Sequence, residues 1–272
     1  MKTSKKIIFS TKSRNLLNLK GKLKNAEVLD QVVITYMQYK KDSNTILRSI
    51  KNKKWEDSLL IARSSTKLED QKIHSKAGKF LTVSNIKGEN EINTAVRKIF
   101  NSYDDLSPED EVFIQPFIKN VKSSGVIFTR DIKYNTPYIK INYDDTSGRT
   151  DTITSGIGKK NKLFCYHKLH NKKIKGSLGK LIDLSKELEE IFDNDALDIE
   201  YVISKSGKIY LTQVRPLVIS YLRKISDSEH YDILVNINKR VSSWFKRQPY
   251  LYGKKAIYGL MPDWNPAEII GS

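Results

Sequence analysis

Hydrophobic and polar residues along this chain follow two periods, and each period predicts a different kind of element. Apolar residues recur three and four positions apart over 89–103 and 178–192, which predicts two amphipathic helices. Alternation with a period of two predicts strands over 31–36, 58–64, 111–118, 125–130, 137–143, 197–204 and 208–214. Strands alternate with helices at first and dominate later, which indicates an α+β or mixed α/β protein whose lobes meet near 108–115.

The segment 197–216 carries the most informative of these patterns. Its alternation breaks at Ser206-Gly207 and then resumes, which predicts a β-hairpin. If Ser206 and Gly207 are the two turn residues, Lys205 faces Lys208 and the numbers of each facing pair sum to 413. Ser-Gly is a poorer two-residue turn than Asn-Gly, so the turn is the weakest part of this prediction.

The predicted register brings Asp198, Glu200, Gln213 and Arg215 to one face of the hairpin. Carboxylate and amide oxygens suit Mg²⁺, which proteins usually hold with one or two carboxylates together with substrate phosphates. Arg215 would then stabilise the charge on a transferring phosphoryl group. An ordinary ion pair between Asp198 and Arg215 on an exposed sheet face explains this segment equally well.

Three short segments rich in small and hydroxyl-bearing residues are candidates for phosphate binding: 61–66, 75–82 and 123–125. Backbone amides near a glycine, together with hydroxyls, can cradle phosphate oxygens. None of the three matches the P-loop or the dinucleotide-binding fingerprint. Taken singly, each segment is more often an ordinary turn.

The net charge of +17, from 48 Lys and Arg against 31 Asp and Glu, is concentrated in two stretches. Residues 1–54 hold fourteen basic residues against three acids, and 159–175 hold seven Lys and no acid. Such stretches either attract a polyanion, such as a nucleotide or a nucleic acid, or form solvated surface. We favour solvated surface for most of these lysines, because no zinc-ligand spacing or nucleic-acid motif accompanies them.

The sequence also argues against export, membrane insertion and a cysteine-based metal site. The apolar cluster Ile7–Phe9 is too short for a signal-peptide core, and no apolar run approaches the length of a membrane span. A single Cys165 excludes an internal disulfide. Neither a metal-ligand spacing nor a catalytic triad includes the four histidines, His74, His167, His170 and His230. We therefore expect a cytoplasmic protein.

Six motifs follow one another along the chain: Thr11-Lys-Ser-Arg-Asn-Leu16, Ile61-Ala-Arg-Ser-Ser65, Ser75-Lys-Ala-Gly-Lys-Phe-Leu-Thr82, Val112-Phe-Ile-Gln-Pro-Phe-Ile118, Ser124-Gly-Val-Ile-Phe-Thr129, and the pair Asp198-Ile-Glu200 with Leu211-Thr-Gln-Val-Arg-Pro216. In this order they resemble the nucleotide-binding domain shared by phosphoenolpyruvate synthase, pyruvate phosphate dikinase and rifampin phosphotransferase. The match covers roughly three-quarters of the chain, from about Lys12 to Pro216. The first motif lacks the glycine pair that precedes it in that family.

The resemblance implies an α+β, two-lobed ATP-grasp fold with mixed sheets that holds ATP and Mg²⁺ between its lobes. The implied domains are an N-terminal lobe (1–110), a C-terminal lobe with the metal-binding hairpin (111–220) and a helical or linker segment (221–272). The resemblance implies that Lys12, Arg63, Gly78 and Thr82 contact phosphates and that Gln115, Phe117 and Ile118 contact adenine. It implies metal ligands at Glu200, Gln213 and Asp198. The catalytic residues that it implies are Arg63, Arg215 and Lys12.

Family members phosphorylate a histidine on a separate carrier domain and then a small acceptor. The carrier's Gly-Gly-x-x-Ser-His type of motif is not found here, so we expect a fragment or one component of a larger enzyme. Residues 142–156 and 261–270 look closest to the capsule-associated branch that includes L-glutamine kinase, which phosphorylates the glutamine amide and releases AMP and phosphate.

Two alternatives stay open. One is an ATP-grasp carboxylate–amine ligase that releases ADP, and the other is a basic nucleic-acid-binding protein without chemistry. The partners expected under the leading interpretation are ATP, a phosphohistidine carrier and a small-molecule acceptor, with neither nucleic acid nor membrane.

Overall fold

The computed structural model describes residues 6–66, 81–146, 161–219 and 224–244 of the 272-residue chain. The chain divides into two compact units, Met1–Leu222 and Arg223–Ser272. Within the described ranges, no helix has both the length and the apolarity that crossing a membrane requires.

The first half of the larger unit is built on a four-stranded sheet. Its elements are α1 (Lys12–Leu19), β1 (Val32–Thr35), α2 (Tyr36–Lys41), α3 (Thr45–Asn52), β2 (Leu60–Ser65), β3 (Thr82–Ile86), α4 (Glu89–Phe100) and β4 (Glu111–Pro116). The strands pair antiparallel in the order β1-β4-β2-β3, and we call them the first sheet. Helices α3 and α4 pack on this sheet and close a core that includes Ile46, Leu60, Val96 and Ile114.

The second half of this unit is built on a five-stranded sheet. Its elements are β5 (Val121–Phe128), β6 (Tyr138–Asp144), β7 (Lys162–His167), α5 (Gly176–Phe192), β8 (Leu197–Ser204) and β9 (Ile209–Pro216). These strands pair antiparallel in the order β7-β6-β5-β8-β9 and form the second sheet. An isolated parallel bridge joins Glu27 to Tyr210. The described part of the smaller unit contains α6 (Asp227–Trp244).

The second sheet has one apolar and one polar face, because successive side chains of a strand point to opposite sides. One row of facing residues consists of Ile141, Ile127, Ile199 and Val214. All four are buried in a core that also contains apolar residues of α1 and α5. The next row, on the opposite face, consists of Asn142, Val126, Glu200 and Gln213. Burial of the isoleucine face therefore fixes the side of the sheet on which the polar residues lie.

The structure confirms the α+β class, both predicted helices and all seven predicted strands, with boundaries that differ by up to four residues. The predictions omitted α1, α2, α3, α6, β3 and β7. Helix α1 has only two buried leucines, Leu16 and Leu19, which is too few to give a clear stripe. Strand β7 is an edge strand with exposed residues such as Lys162 and Leu163, so its apolar alternation is weak.

One prediction about a loop is wrong. Residues 123–125, which we expected to form a phosphate-side turn, lie inside β5. Gly125 pairs there with Tyr143 on one side and Tyr201 on the other. The small residues are needed for packing within the sheet and do not end the strand.

Strand β4 lies beyond the lobe boundary that the sequence suggested at residue 110. It pairs with both β1 and β2, because its apolar residues Val112 and Ile114 complete the core of the first sheet. The change from the first sheet to the second therefore falls between Pro116 and Val121.

Gly125→Ala is expected to destabilise the protein by about 2 kcal/mol, because the added methyl has no space. Its Cβ would lie 2.5 Å from the Asn142 carbonyl oxygen and 2.7 Å from the Tyr201 hydroxyl. Chemical denaturation would measure the loss in the free energy of unfolding. The control is Lys122→Ala, at an exposed position of the same strand, which should stay within about 0.5 kcal/mol of wild type. Equal stability of the two variants would contradict the packing argument.

Candidate functional site

The β8–β9 hairpin contains the two cross-strand pairs that the sequence predicted. Asp198 faces Arg215, and Glu200 faces Gln213. Directly facing residues of an antiparallel pair project from the same side of the sheet. These four side chains therefore share the polar face of the second sheet, as expected.

The predicted turn of this hairpin is wrong. The Ser204 N–H donates to the Lys208 carbonyl at 2.9 Å, and the Gly207 N–H donates to the Ser204 carbonyl at 2.9 Å. Lys205 therefore does not face Lys208, and three residues form the loop. Gly207, with φ of +83°, takes the left-handed conformation that such a three-residue loop needs at its last position.

A bulge restores the predicted pairs. Glu200 faces Gln213, but the next residue, Tyr201, faces Leu211. Thr212 is therefore the extra residue on β9. Its insertion compensates for the one-residue error in the turn. Extra residues of bulges lose ladder partners and often lie next to active sites.

Arg63 joins the first sheet to this bulge. Its Nη1 donates to the Thr212 carbonyl oxygen at 2.7 Å, and its Nη2 donates to Glu200 Oε2 at 3.2 Å. The guanidinium also lies over the Phe113 ring, 6.0 Å from its centroid. Its Nε is buried and has no hydrogen-bond partner among the described residues. Arg63 thus reaches across from β2 and fixes the position of the Glu200 carboxylate.

Asp198 and Arg215 form the ion pair that was the alternative interpretation of the hairpin. Arg215 donates to Asp198 Oδ2 from Nε at 2.8 Å and from Nη2 at 2.7 Å. Burial raises the pKa of the Asp198 carboxyl above its ordinary value, although the charges of Arg215 and Lys12 act to lower it and Glu200 adds to the rise. Lys12 therefore lies within electrostatic reach of this pair.

The residues on this face have the donor atoms that a magnesium ion needs. The described hydrogen bonds use one oxygen of each carboxylate, Asp198 Oδ2 and Glu200 Oε2, and the second oxygens would be the ligands. Gln213 adds an amide oxygen opposite Glu200. No cluster of three His, Cys, Asp or Glu side chains occurs among the described residues. The donor set fits an ion that completes its coordination with water and phosphate oxygens.

A cavity of about 170 Å³ opens beside the Arg63–Glu200 contact, and most of its lining is apolar. Its walls come from both sheets and include Ile61, Arg63, Thr82, Gln115, Phe117, Ile118, Val126, Glu200 and Val202. Six of the predicted site residues meet here: Arg63, Thr82, Gln115, Phe117, Ile118 and Glu200. Gly78 lies outside the described residues, as do 147–156 and 261–270.

Hydrogen bonds to neighbouring segments hold the edge of this cavity at the end of β4. The Phe117 N–H donates to the Leu59 carbonyl at 2.8 Å. The Gln115 amide is buried and donates at 3.4 Å both to the Leu29 carbonyl and to Gln31 Oε1. Because the Phe117 N–H already donates to Leu59, Phe117 can present only its ring and its carbonyl to a ligand.

Helix α1 positions Lys12 from the other side. Asn15 Nδ2 donates to the Val214 carbonyl of β9 at 3.3 Å and to the Ser10 carbonyl at 3.0 Å. Ser10 N–H donates back to Asn15 Oδ1 at 2.8 Å. These bonds hold α1 against the hairpin at Asn15, and Lys12, three residues earlier, lies close enough for its charge to act on Asp198.

Two parts of the site were missed at the sequence level. The Thr212 carbonyl binds Arg63 through its main chain, so the side-chain pattern gives no signal for it. Glu111 is buried, and its carboxylate accepts hydrogen bonds from four side chains. An acid directly ahead of the apolar run Val112–Ile114 was the available signal. The Ser65 hydroxyl, expected to face phosphate, donates to Glu111 and accepts from the Ser13 N–H.

Comparison with known proteins gives matches among solved structures. Neither a protein-family model nor a curated protein sequence matches the chain. D-alanine-D-alanine ligase from Coxiella burnetii matches at 12% identity and a TM-score of 0.42, over 81% of this chain and 50% of that one. An ADP complex of N5-carboxyaminoimidazole ribonucleotide synthetase matches at 14% identity and a TM-score of 0.40, over 76% of this chain and 44% of that one.

A third similar structure is a RiPP-associated ATP-grasp ligase from Chryseobacterium gregarium, in complex with ADP and a leader and core peptide. It matches at 14% identity and a TM-score of 0.41, over 74% of this chain and 50% of that one. The chain thus spans about half the length of the structures that it matches. At such identities and TM-scores the likeness assigns neither a substrate nor an activity to this chain.

Proposed function

We propose that this chain is an ATP-binding and ATP-cleaving module of the ATP-grasp type. The observation that carries the proposal is the cavity in which Arg63 and Thr82 of the first sheet lie beside Glu200 of the second. A nucleotide site needs an apolar slot for the base, cations for the phosphates and oxygen ligands for the metal. An apolar slot, the Arg63 guanidinium and the Glu200 carboxylate are adjacent here, in a cavity whose walls come from both sheets.

The base would occupy the apolar part of the cavity, between Ile61 and Val126 and against Phe117 and Ile118. Gln115 orders this edge through its bonds to neighbouring main chain and side chain. Pairing across the sheet places Thr82 next to Arg63, so the triphosphate would run from the base towards these two residues. Lys12 reaches the same charged region from α1, and we assign phosphate binding to Gly78 as well.

The metal-binding residues in this proposal are Asp198, Glu200 and Gln213. When bound, Mg²⁺ would neutralise phosphate charge and orient the group that is transferred. Arg63 keeps Glu200 in place, and Arg215 is oriented by Asp198. Lys12, Arg63 and Arg215 are the three cations that would stabilise charge as the phosphoryl group leaves.

Calorimetric titration of the 272-residue chain with Mg²⁺-ATP tests this proposal. We expect saturable binding, weaker binding of ATP when Mg²⁺ is removed, and competition by ADP. Fluorescently labelled DNA and RNA at physiological salt serve as the comparison, because non-specific binding to basic surfaces falls steeply with salt. Tight nucleic-acid binding without any ATP binding would replace the proposal with the basic-protein alternative.

Two reactions are compatible with this site. In the first, a phosphoenolpyruvate-synthase-like phosphotransferase, a carrier histidine is phosphorylated and then a small acceptor, for which we propose the amide of L-glutamine. In the second, a carboxylate–amine ligase makes an acyl phosphate and ADP. Ligases are among the similar structures, which agrees with the second reaction. Sequence motifs around Arg63 and Arg215 favour the first.

Product analysis separates the two reactions. AMP with phosphate, formed in the presence of a carrier domain, supports the phosphotransferase. ADP, formed in the presence of a carboxylate and an amine, supports the ligase. Both reactions require the same Mg²⁺-ATP site, so the nucleotide product decides between them without changing the assignment of Arg63, Glu200 and Gln213.

A further inference from the structure

The Glu111 carboxylate is a buried junction between α1 and the first sheet. It stands at the start of β4, where it pairs with Ser65 of β2, and is 3% exposed. Its Oε2 accepts from the Thr11 hydroxyl at 2.8 Å and from the Ser13 hydroxyl. The Arg14 Nε donates to Oε1 at 2.7 Å. An ionised carboxylate is the side chain that can accept this many hydrogen bonds at once.

The residues that bind Glu111 are the neighbours of two proposed phosphate-binding cations. Thr11 and Ser13 stand on either side of Lys12. The Ser65 hydroxyl, which donates to Glu111 Oε2 at 3.4 Å and accepts from the Ser13 N–H at 3.0 Å, is two residues from Arg63 on β2. One carboxylate therefore links the backbone segments that carry both cations.

The first turn of α1 depends on these contacts in an unusual way. Thr11 is the N-cap residue, yet its side chain makes no capping bond within the helix. Its hydroxyl donates to Glu111, and the Ser13 N–H finds its acceptor in Ser65. The Thr11 hydroxyl and the Ser13 N–H, which could have bonded within the first turn of the helix, therefore bond to β4 and β2 instead.

We propose that Glu111 is a positioning residue for the phosphate end of the nucleotide site. It sets the distance between Lys12 on α1 and Arg63 on β2 through hydroxyl contacts on both segments. The end of the site that would bind the base is held by a different contact, because the Phe117 N–H donates to the Leu59 carbonyl. Glu111 takes no part in that contact. This inference rests on the proposed function, since it assigns Glu111 a part in binding the same nucleotide.

A purely structural role for Glu111 makes a different prediction. The rest of α1 is anchored by Leu16 and Leu19 in the core and by the bond from Asn15 to Val214. Loss of the Glu111 contacts should therefore loosen the first turn and leave the helix in place. A positioning residue affects ligands that carry phosphates, whereas a structural residue affects every ligand and the melting temperature together.

The experiment compares Mg²⁺-ATP with adenosine, which lacks phosphates, on Glu111→Gln and Ser13→Ala by calorimetry. Both variants should bind Mg²⁺-ATP roughly tenfold more weakly, the change expected for a lost charged hydrogen bond. Adenosine should bind as it does to wild type. Asn18→Ala, at an exposed position of the same helix, is the matched control and should bind Mg²⁺-ATP normally.

Each other outcome overturns the inference. If the affinities for Mg²⁺-ATP and adenosine fall equally, Glu111 supports the fold alone. Unchanged affinity for Mg²⁺-ATP also removes the positioning role, and so does an equal loss in Asn18→Ala. If Glu111→Gln fails to fold, Ser13→Ala decides by the same criteria. Failure of the wild-type chain to bind Mg²⁺-ATP would reject the proposed function itself and the inference with it.

Discussion

Arg63→Lys is expected to weaken Mg²⁺-ATP binding about 100-fold, because lysine cannot replace both contacts of the guanidinium. Arg63 binds the Thr212 carbonyl and the Glu200 carboxylate with separate nitrogens. Lysine carries the same charge as a single point and cannot reproduce a planar fork. The variant would therefore keep the net charge of the site and lose the geometry that joins the two sheets.

Calorimetry measures the affinity, and thermal denaturation measures the accompanying loss of stability. We expect a loss of about 1–3 kcal/mol in the free energy of unfolding, because Glu200 and the Thr212 carbonyl lose hydrogen bonds in a partly buried position. Arg97→Lys, at an exposed position of α4, is the matched control and should change neither quantity. Wild-type affinity in Arg63→Lys at an unchanged melting temperature would show that Arg63 takes no part in nucleotide binding.

The hairpin shows how far the sequence could predict the site. Alternation along 197–204 and 208–214 is strong because one face of each strand is buried against α1 and α5. That burial fixes which face Asp198 and Glu200 occupy. Only the turn and the bulge at Thr212 determine which residue of β9 faces each of them, and neither leaves a clear signal in the side-chain pattern. The pairs were predicted correctly because two one-residue errors cancelled.

Contacts between distant segments could not be predicted from local patterns. Ser65 looks like part of a phosphate loop, since small hydroxyl residues after a strand are typical of such loops. Its hydroxyl instead binds Ser13 and Glu111, which are 52 and 46 positions away along the chain. The role of such a residue depends on what the fold brings next to it. The resemblance to a known family identified the segment and could not separate Arg63, at the cavity, from Ser65 behind it.

Glu200→Gln is expected to remove most of the effect of Mg²⁺ on ATP binding. Glutamine keeps the size of the side chain and can still accept a bond from Arg63, but it lacks the charge that offsets the metal. We expect the affinity for Mg²⁺ in the ternary complex to fall by at least roughly 10- to 100-fold, which is the loss that replacing a mere hydrogen-bond partner of a metal ligand causes. ATP without metal should bind as well as to wild type or better, because a negative charge next to the phosphates has been removed.

The measurement is the ratio of ATP affinities with and without Mg²⁺, which cancels any general effect of the substitution on the fold. Glu190→Gln, at an exposed position of α5, is the control and should keep the wild-type ratio. Stability should fall by about 1–2 kcal/mol, since Glu200 is partly buried and its bond to Arg63 weakens. A wild-type ratio in Glu200→Gln would mean that the Glu200 carboxylate serves only to hold Arg63, and the metal site would then have to be sought elsewhere.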